Sequence, residues 1–402
     1  MSIIRDITIE SLRHLDTDEV LLFIGARQSG KTTILKQIRD HLEKKNNICH
    51  FLNLEDPESL EILNKSPKNL LKIFSLDLAQ KSYVFIDEVQ YLDNPSNFLK
   101  YFYDEYGGKI KILASGSSSF YIDKKFKDSL AGRKKIFNVW TLSFREFLRF
   151  KNEKELAKKD FKKISLSERE KILLYYNEYL LYGGYPRVAL SSFSEKKDVL
   201  REIVYSYIKK DIFEASIKQE EVFLKLLKIF ASQTGNLVNA SELANTLGVS
   251  KTAIDNYLYV MQKSFHICLI KPFFRNIRKE LTKMPKVYFY DSGLRNFLVD
   301  NFKPFETRED KGYLLENAVF RQLLEKNNRD EIRFWRTIQK NEIDFVVGEK
   351  SAYEVKIDPK KFKKKASRLF LENYPGINLV IASFDVSQSL IGGHFLMNVW
   401  EI

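Results

Sequence analysis

The sequence has few cysteines and histidines and no apolar run long enough to cross a membrane. Only Cys49 and Cys268 occur among 402 residues, both inside apolar runs, which excludes a disulfide-stapled scaffold and predicts buried thiols in a reducing compartment. The five histidines lack metal-ligand spacing, which argues against a structural zinc site. No apolar run approaches about 20 residues and the start lacks a signal-peptide core, so we expect a cytoplasmic protein without a membrane partner.

Positive charge is in excess. The chain has 66 Lys and Arg against 53 Asp and Glu, a net charge of +13, and 44% apolar residues, which suits two or three globular domains. Such an excess favours a polyanionic partner, most simply nucleic acid. A well-solvated, lysine-rich surface explains the same balance, so net charge alone does not distinguish it from a nucleic-acid-binding surface.

The first third contains a phosphate-binding pattern. An apolar strand, Val20–Ile24, precedes Gly25–Thr32, which reads G-A-R-Q-S-G-K-T, a full match to GxxxxGK[ST], and a helical pattern follows. The glycines permit the tight loop whose N–H groups wrap a phosphate, and the helix N-terminus adds its dipole. Lys31 is expected to reach the β and γ phosphates, and the Thr32 hydroxyl to bind magnesium.

Two later strands supply polar groups at their carboxyl ends. "YVFIDEV" ends in Asp87 and Glu88; Asp87 would hold magnesium through water, and Glu88 would orient or deprotonate the attacking water. "IKILASGSSS" ends in Ser115 and Ser117, which are expected either to contact the γ-phosphate or to serve as turn residues. Arg133 is interpreted either as an arginine finger toward a neighbouring subunit or as a surface residue.

These residues together resemble the AAA-type ATPases of the archaeal-ATPase group, within the STAND/MNS clade. The resemblance rests on "GARQSGKTT", "FIDEVQ", "LASGSSS", "LAGR", "LSFREFL" and "LYGGYPR". It implies a helical lid in which Gly184 and Pro186 lie beside the nucleotide, a sensor role for Ser115 or Ser117, and a catalytic role for Arg133. The predicted nucleotide-site residues are Gly25, Gln28, Ser29, Gly30, Lys31, Thr32, Thr33, Asp87, Ser115 and Pro186.

The middle of the chain is predicted to be helical and to end in a winged helix. The segment "NASELANTLGVSKTAIDNYLYVMQKSFHICLIKPF" reads helix, glycine turn, helix and strand, with Ser241 and Ser250 expected to cap the helices. Basic residues of the wing suit a DNA backbone, although a protein-packing module with a solvated rim is the alternative. They are Lys271, Arg275, Arg278, Lys279, Lys283 and Lys286.

The last quarter combines an amphipathic helix, which carries Glu316, with a hairpin that carries Asp344, Glu354 and Lys356. If Val347 pairs with Ser351, Asp344 lies opposite Glu354, and the apolar residues of both strands share the other face. Two carboxylates this close repel unless a cation lies between them, which predicts a divalent metal held by Asp344 and Glu354. Glu316 would complete its shell, and Lys356 would orient a water or stabilise a phosphate. The alternative is an exposed, charged hairpin.

This order of residues resembles the PD-(D/E)xK, or restriction-endonuclease-like, superfamily. The resemblance implies that Glu316, Asp344, Glu354 and Lys356 form the acid-acid-acid-lysine set; Ile343 stands where a proline often precedes the aspartate. The positively charged residues that follow suit a DNA backbone or, alternatively, a solvated face. They are Lys360, Lys361, Lys363, Lys364, Lys365 and Arg368.

The sequence therefore predicts an α/β protein with four parts: a P-loop AAA-type ATPase core over 1–150, a helical lid over 151–218, a winged helix over 219–305 and a nuclease-like domain over 306–402. We expect ATP, Mg²⁺ (Mg²⁺ or Mn²⁺ at the nuclease-like site) and DNA as ligands. The sequence does not decide whether the chain forms a homo-oligomer. The predicted function is ATP-dependent DNA processing with cleavage. The alternatives are a STAND-type nucleotide switch and a DNA-binding remodeller that does not cut.

Overall fold

The computed structural model describes residues 3–117, 130–274, 284–362, 364–386, 390–391 and 393–402. These group into two compact units, Met1–Thr141 with Lys263–Phe265, and Leu142–Gln262 with His266–Ile402. No helix in those ranges is both long enough and apolar enough to span a bilayer. The predicted four-part division is finer than these two units and stays a prediction.

The first unit contains a parallel five-stranded sheet in the order β2-β3-β4-β1-β5. Its strands are β1 (Val20–Ile24), β2 (Ile48–Asn53), β3 (Ser82–Asp87), β4 (Ile110–Gly116) and β5 (Lys134–Asn138). The strands predicted before the glycine loop, before Glu88 and before Ser117 are confirmed. Because β4 lies between β1 and β3, the carboxyl ends of these three strands meet at one edge of the sheet.

Helices cover this sheet with their apolar sides. The helix after the glycine loop buries Ile34, Leu35 and Ile38 against Leu21, Phe23 and Phe85 of the strands. Apolar residues spaced three and four apart explain why this segment is helical and which side it buries. The helices of the unit are Asp6–Leu12, Lys31–Glu43, Pro57–Lys65, Asn69–Phe74 and Pro95–Tyr106.

The second unit begins with helices. They are Phe144–Phe150, Lys154–Lys158, Leu166–Tyr182, Pro186–Leu190, Lys196–Glu202, Lys209–Glu214, Glu220–Ser232, Ala240–Leu247, Lys251–Lys263 and Ser292–Leu298, with a π-helical stretch over Ile203–Ile208. Ser250 caps its helix as expected, by accepting from the backbone N–H of Ala253. The predicted cap at Ser241 is wrong: Asn239 accepts from the N–H groups of Ser241 and Glu242. The asparagine begins the helix because its side chain reaches both donors.

A hairpin and a mixed six-stranded sheet complete this unit. β6 (Ile267–Ile270) pairs antiparallel with β7 (Lys286–Phe289). The sheet has the order β12-β13-β11-β10-β9-β8. Its strands are β8 (Ile332–Arg336), β9 (Glu342–Val347), β10 (Ser351–Lys356), β11 (Asn378–Ser383), β12 (Leu390–Ile391) and β13 (His394–Asn398), and its helices are Lys311–Lys326 and Lys364–Asn373. The predicted pairing of Val347 with Ser351 is confirmed.

Both faces of this sheet are covered, which the sequence pattern did not indicate. Phe345 stacks on Phe320 of one helix, whereas Val346 packs with Phe370 of the other. Since adjacent strand residues point to opposite faces, the two helices lie on opposite sides. The alternative of an exposed, charged hairpin is therefore wrong: Asp344 and Glu354 are only 8% and 6% exposed.

The "LYGGYP" segment is hydrogen-bonded to the "YDSG" segment of the same unit. Asp291 accepts from the N–H groups of Gly184 and Leu294, so one carboxylate caps a helix and fixes the glycine turn. Gly183 has φ 75° and ψ −166°, a region that residues with a side chain almost never adopt. A Cβ at Gly183 would also lie 2.0 Å from Asp291 Oδ1.

We expect Gly183→Ala to lower the free energy of unfolding by about 2 kcal/mol or more, because the variant combines backbone strain with this clash. Gly312→Ala is the matched control, since a Cβ there meets nothing within 4 Å and the site lies in the Lys311–Lys326 helix. The control should leave stability unchanged or raise it by up to about 1 kcal/mol. Urea unfolding followed by tryptophan fluorescence measures both, and equal stability of the two variants would contradict the account.

Candidate functional site

The glycine-rich loop folds around the ammonium of Lys31. Lys31 Nζ donates to the backbone oxygens of Gly25 at 3.0 Å and of Ala26 at 2.8 Å, and the side chain is buried. Close packing explains Gly25, because a Cβ there would lie 2.1 Å from the backbone oxygen of Val139. The loop therefore places a positive charge at the N-terminus of the following helix, as phosphate binding requires.

Asp87 is the centre of a polar cluster at the ends of β1, β3 and β4. Thr32 Oγ1 donates to Asp87 Oδ2 at 2.6 Å, and the hydroxyl of Ser115 donates to Asp87 Oδ1. Ser115 Oγ also accepts from the backbone N–H of Glu88 at 3.1 Å. Ser115 thus fixes the positions of both acids, and the Thr32 and Asp87 oxygens are the kind of ligand that magnesium prefers.

Glu88 leaves the strand in an uncommon conformation. Its φ is +58°, in the left-handed region, and such non-glycine residues concentrate at functional sites. The carboxylate accepts from Ser117 Oγ at 2.6 Å and from the side-chain amide of Gln90. Gln90 also donates to Ser117 Oγ at 2.9 Å, so two side chains that bond each other fix the position of this carboxylate.

The surroundings of Glu88 favour its charged form. Burial alone would raise the pKa of this carboxyl, but the charge of Lys31 and the hydrogen bonds from Ser117 and Gln90 outweigh burial and leave the pKa below its ordinary value of 4.5. The carboxylate is therefore ionised at neutral pH and can accept a proton or a hydrogen bond.

The remaining predicted nucleotide residues are placed as follows. Gln28 has φ +57° in the loop, Ser29 is fully buried, and Thr33 is exposed in the first turn of the helix. Arg133 precedes β5 and its Nε donates to Asp104 Oδ1 at 2.8 Å. Pro186 begins the Pro186–Leu190 helix of the second unit.

Asp344, Glu354 and Lys356 come together in the second unit. Lys356 Nζ lies 2.6 Å from Glu354 Oε1 and 3.8 Å from Asp344 Oδ2, and the backbone N–H of Val355 donates to Asp344 Oδ2 at 2.8 Å. Glu354 Oε2 is buried and has no hydrogen-bond partner among the residues that the structure describes. A buried carboxylate oxygen without a donor needs a proton or a cation.

Glu316 contacts a different lysine. Its Oε1 accepts from the hydroxyl of Tyr288 and lies 3.2 Å from Lys286 Nζ, which in turn lies 2.6 Å from Glu342 Oε1. Arg336 donates to the other oxygen of Glu342 at 2.8 Å. The acids that were expected to share one metal ion therefore divide between Lys286 and Lys356.

Burial and mutual repulsion shift the pKa values of this group. Burial raises the pKa of Glu354 to about 8, Asp344 adds to the increase, and Lys356 offsets part of it. Burial likewise raises the pKa of Glu316 to about 7, although the charge of Lys286 lowers it. For Lys286, burial lowers the pKa, but the charges of Glu316, Asp344 and Glu342 raise it above its ordinary value.

The donor set at this site fits a hard divalent ion only in part. Asp344 and the unpartnered oxygen of Glu354 offer carboxylate ligands of the right chemistry. Within the described ranges, no three His, Cys, Asp or Glu side chains are grouped as they would be around a metal ion. Glu316 would have to leave Lys286 and Tyr288 before it could contribute.

The basic residues predicted to contact DNA fall into three groups. Exposed side chains cover the segment after β10, namely Lys360, Lys361, Lys364, Lys365 and Arg368, while Lys271 is exposed directly after β6. Arg275, Arg278, Lys279, Lys283 and Lys363 lie outside the described residues. The expected contact of Lys286 with a phosphate backbone is wrong, because this side chain is 2% exposed and paired with two carboxylates.

Comparison with known proteins assigns part of the chain. Residues 17–148 match a family model described as "AAA domain". The matched segment, which is the N-terminal third of the chain, is referred to below as the AAA domain. Residues 173–304 and 311–401 match two models described as "Domain of unknown function", DUF8612 and DUF4143.

Relatives extend beyond the AAA domain. The uncharacterized protein MJ1544 of Methanocaldococcus jannaschii is 29% identical over 351 residues, which is 85% of this chain and 74% of the relative. An uncharacterized protein of Haemophilus influenzae is 26% identical over 344 residues, 82% of this chain and 80% of its own. The RuvB Holliday junction branch migration motor of Thermotoga maritima is 17% identical and covers 70% of this chain and 95% of its own, and its TM-score of 0.35 supports no conclusion about this protein.

Three contributors were missed from the sequence. Gln90 follows Glu88 by two residues in the AAA domain, and Glu342 precedes Asp344 by two residues on β9. The spacing on β9 could have been noticed, because residues two apart on a strand share a face. Gln90 lies in the 3₁₀ turn Val89–Tyr91 after β3, where that rule does not apply. Tyr288 gave no such signal, since aromatic residues on strands are usually core.

The raised pKa of Glu354 predicts a pH dependence of stability. The folded carboxyl binds its proton more tightly than the unfolded one, whose pKa is 4.5. Its contribution is therefore fully present below pH 4.5 and is lost as the pH rises toward about 8. In Glu354→Gln the side chain cannot ionise. The free energy of unfolding of the wild type minus that of this variant should therefore decrease as the pH rises from 4.5 to about 8.

Urea unfolding at several pH values between 4.5 and 8 measures this difference. Glu349→Gln, in the exposed turn of the same hairpin, is the control and should show a difference that is independent of pH. A Glu354→Gln difference that stays constant, or increases with pH, would contradict the assignment.

Proposed function

We propose that this protein binds and hydrolyses ATP in its AAA domain and uses the cycle to process DNA. The observation that carries the ATPase proposal is the single cluster in which Thr32, Asp87, Ser115 and Glu88 are joined by hydrogen bonds beside Lys31. Lys31 supplies positive charge for the phosphates, and Thr32 with Asp87 supplies oxygen ligands for Mg²⁺. The ion would shield phosphate charge when bound.

Glu88 is the residue that distinguishes hydrolysis from binding. Its ionised carboxylate lies at the same sheet edge as Lys31 and is oriented by Ser117 and Gln90. From there it would accept a proton from a water that attacks the γ-phosphate. Arg133 in this proposal acts on the nucleotide of a neighbouring copy after it exchanges its contact with Asp104, and Pro186 belongs to a lid that responds to nucleotide.

Glu88→Gln should bind ATP with unchanged affinity and hydrolyse it at least about 100-fold more slowly, because the amide cannot take a proton. Ser117→Ala removes a hydrogen bond that lowers the pKa of Glu88, so the acid limb of its ATPase profile should move to higher pH. Phosphate release measures the rates, and a fluorescent ATP analogue measures binding.

Ser165→Ala is the control for the serine variant, since Ser165 is an exposed N-cap of the Leu166–Tyr182 helix in the second unit. It should leave the acid limb where the wild type has it. Wild-type hydrolysis in Glu88→Gln would contradict the role of Glu88, and loss of nucleotide binding in that variant would show that it supports the loop instead.

The second unit supports a second activity, metal-dependent cleavage of a phosphodiester. The observation in its favour is the unpartnered oxygen of buried Glu354 beside Asp344 and the ammonium of Lys356. Asp344 and Glu354 would hold Mg²⁺ or Mn²⁺, which would activate water and shield phosphate charge when bound. Lys356 would stabilise negative charge on the phosphate, and the exposed basic residues that follow β10 would bind the DNA backbone.

Cleavage is tested with plasmid, single-stranded and branched DNA in Mg²⁺ or Mn²⁺, with and without ATP. We expect the wild type to cut in the presence of metal, and Asp344→Asn and Lys356→Met to lose cutting because one removes a ligand and the other a charge. Asp330→Asn and Lys350→Met, both at exposed positions, are the matched controls and should cut like wild type.

Cutting that survives in Asp344→Asn would point to a contaminating nuclease and contradict the assignment. Salt-sensitive DNA binding without any cutting would instead favour the alternatives, in which this module holds DNA for an ATP-driven remodeller or a nucleotide switch. A loss of DNA affinity in variants of Lys360 and Lys364 would identify the binding surface.

A further inference from the structure

Lys286 is a buried cation within an acidic group. It lies on β7, its side chain is 2% exposed, and its ammonium contacts Glu342 and Glu316. An ammonium out of water is tolerated only when opposite charge lies close to it, and these carboxylates supply that charge. The ring of Phe334, 5.5 Å from Nζ, forms an apolar side of the same pocket.

The acids that Lys286 contacts are continuous with those of the Asp344–Glu354 site. Glu342 and Asp344 lie two residues apart on β9. Burial has the largest effect on the pKa of Glu316 and raises it, and the charge of Lys286 lowers it. The charge of Asp344 also raises this pKa, so the two carboxylates interact across the site. Four acids, Glu316, Glu342, Asp344 and Glu354, therefore share the charges of Lys286, Lys356 and Arg336.

The lysine and the acids belong to different structural elements. Lys286 pairs with Ile270 in the β6–β7 hairpin and bridges to Leu237, whereas the acids lie on the Lys311–Lys326 helix and on β9 and β10. The position of the ammonium is thus set by the hairpin. A displacement of the hairpin relative to the six-stranded sheet would remove a positive charge from the acids.

We propose that Lys286 is a built-in cation that competes with a divalent metal for the carboxylates, so that it sets the metal affinity of the Asp344–Glu354 site. The inference rests on the proposed function, because it assumes that Asp344 and Glu354 bind metal. While Lys286 is in place, Glu316 and Glu342 are neutralised without metal. When its charge is absent, only Lys356 and Arg336 remain to offset the four acids, and Glu316 loses its contact with Lys286.

The test is Mn²⁺ binding by the full chain without nucleotide, measured by calorimetry and by the fluorescence of Trp335, which lies on β8 of the same sheet. Lys286→Met should bind Mn²⁺ at least about tenfold more tightly than wild type, because a like charge near the metal is removed. Lys286→Arg keeps the charge and should bind no more tightly than wild type.

A double variant, Lys286→Met with Glu316→Gln, removes both charges of the Lys286–Glu316 ion pair. It avoids the buried, unpaired carboxylate that the single variant leaves behind and that disfavours folding. Its affinity for Mn²⁺ should return to within about threefold of wild type, because one positive and one negative charge are removed together and the net charge near the metal is unchanged. If Lys286→Met does not fold, Lys286→Gln replaces it, since the amide still donates hydrogen bonds without carrying charge.

The outcomes separate the inference from the function on which it rests. Unchanged Mn²⁺ affinity in Lys286→Met, together with loss of binding in Asp344→Asn, would overturn the inference and leave the metal site intact. Absence of Mn²⁺ binding at millimolar metal in both wild type and Lys286→Met, or binding that Asp344→Asn does not weaken, would overturn the metal site as well.

Discussion

A carboxylate buried on a sheet strand or directly after it must be matched by positive charge or by hydrogen-bond donors, and both candidate sites of this protein depend on that constraint. In the AAA domain the matching groups are the hydroxyls of Thr32, Ser115 and Ser117 and the ammonium of Lys31. In the second unit they are mainly the charged groups of Lys286, Lys356 and Arg336. The difference determines what each site can bind.

Hydroxyl donors leave the charge of Asp87 available, so a magnesium ion can approach without displacing another cation. The lysines of the second unit already neutralise part of the acidic charge, so a metal there has to compete. The first site is therefore ready for its ligands in this conformation. In our proposal, the metal affinity of the second site depends on where the β6–β7 hairpin holds Lys286.

Local motifs were predictable because their residues are close in sequence. The glycine loop, the Asp87–Glu88 pair and the register of Val347 with Ser351 all follow from contiguous patterns. What the sequence did not reveal depends on packing between distant segments. The pattern of β9 and β10 could not show that helices cover both faces, and nothing near Lys286 indicated that it would be buried against Glu316 and Glu342.

Anomalous diffraction from crystals grown with Mn²⁺ and a non-hydrolysable ATP analogue tests the central claim most directly. The account predicts one manganese peak between Thr32 and Asp87 next to the nucleotide, and a second peak within about 2.3 Å of oxygens of Asp344 and Glu354. Manganese at the first position alone, with Lys356 still paired to Glu354, would contradict the account.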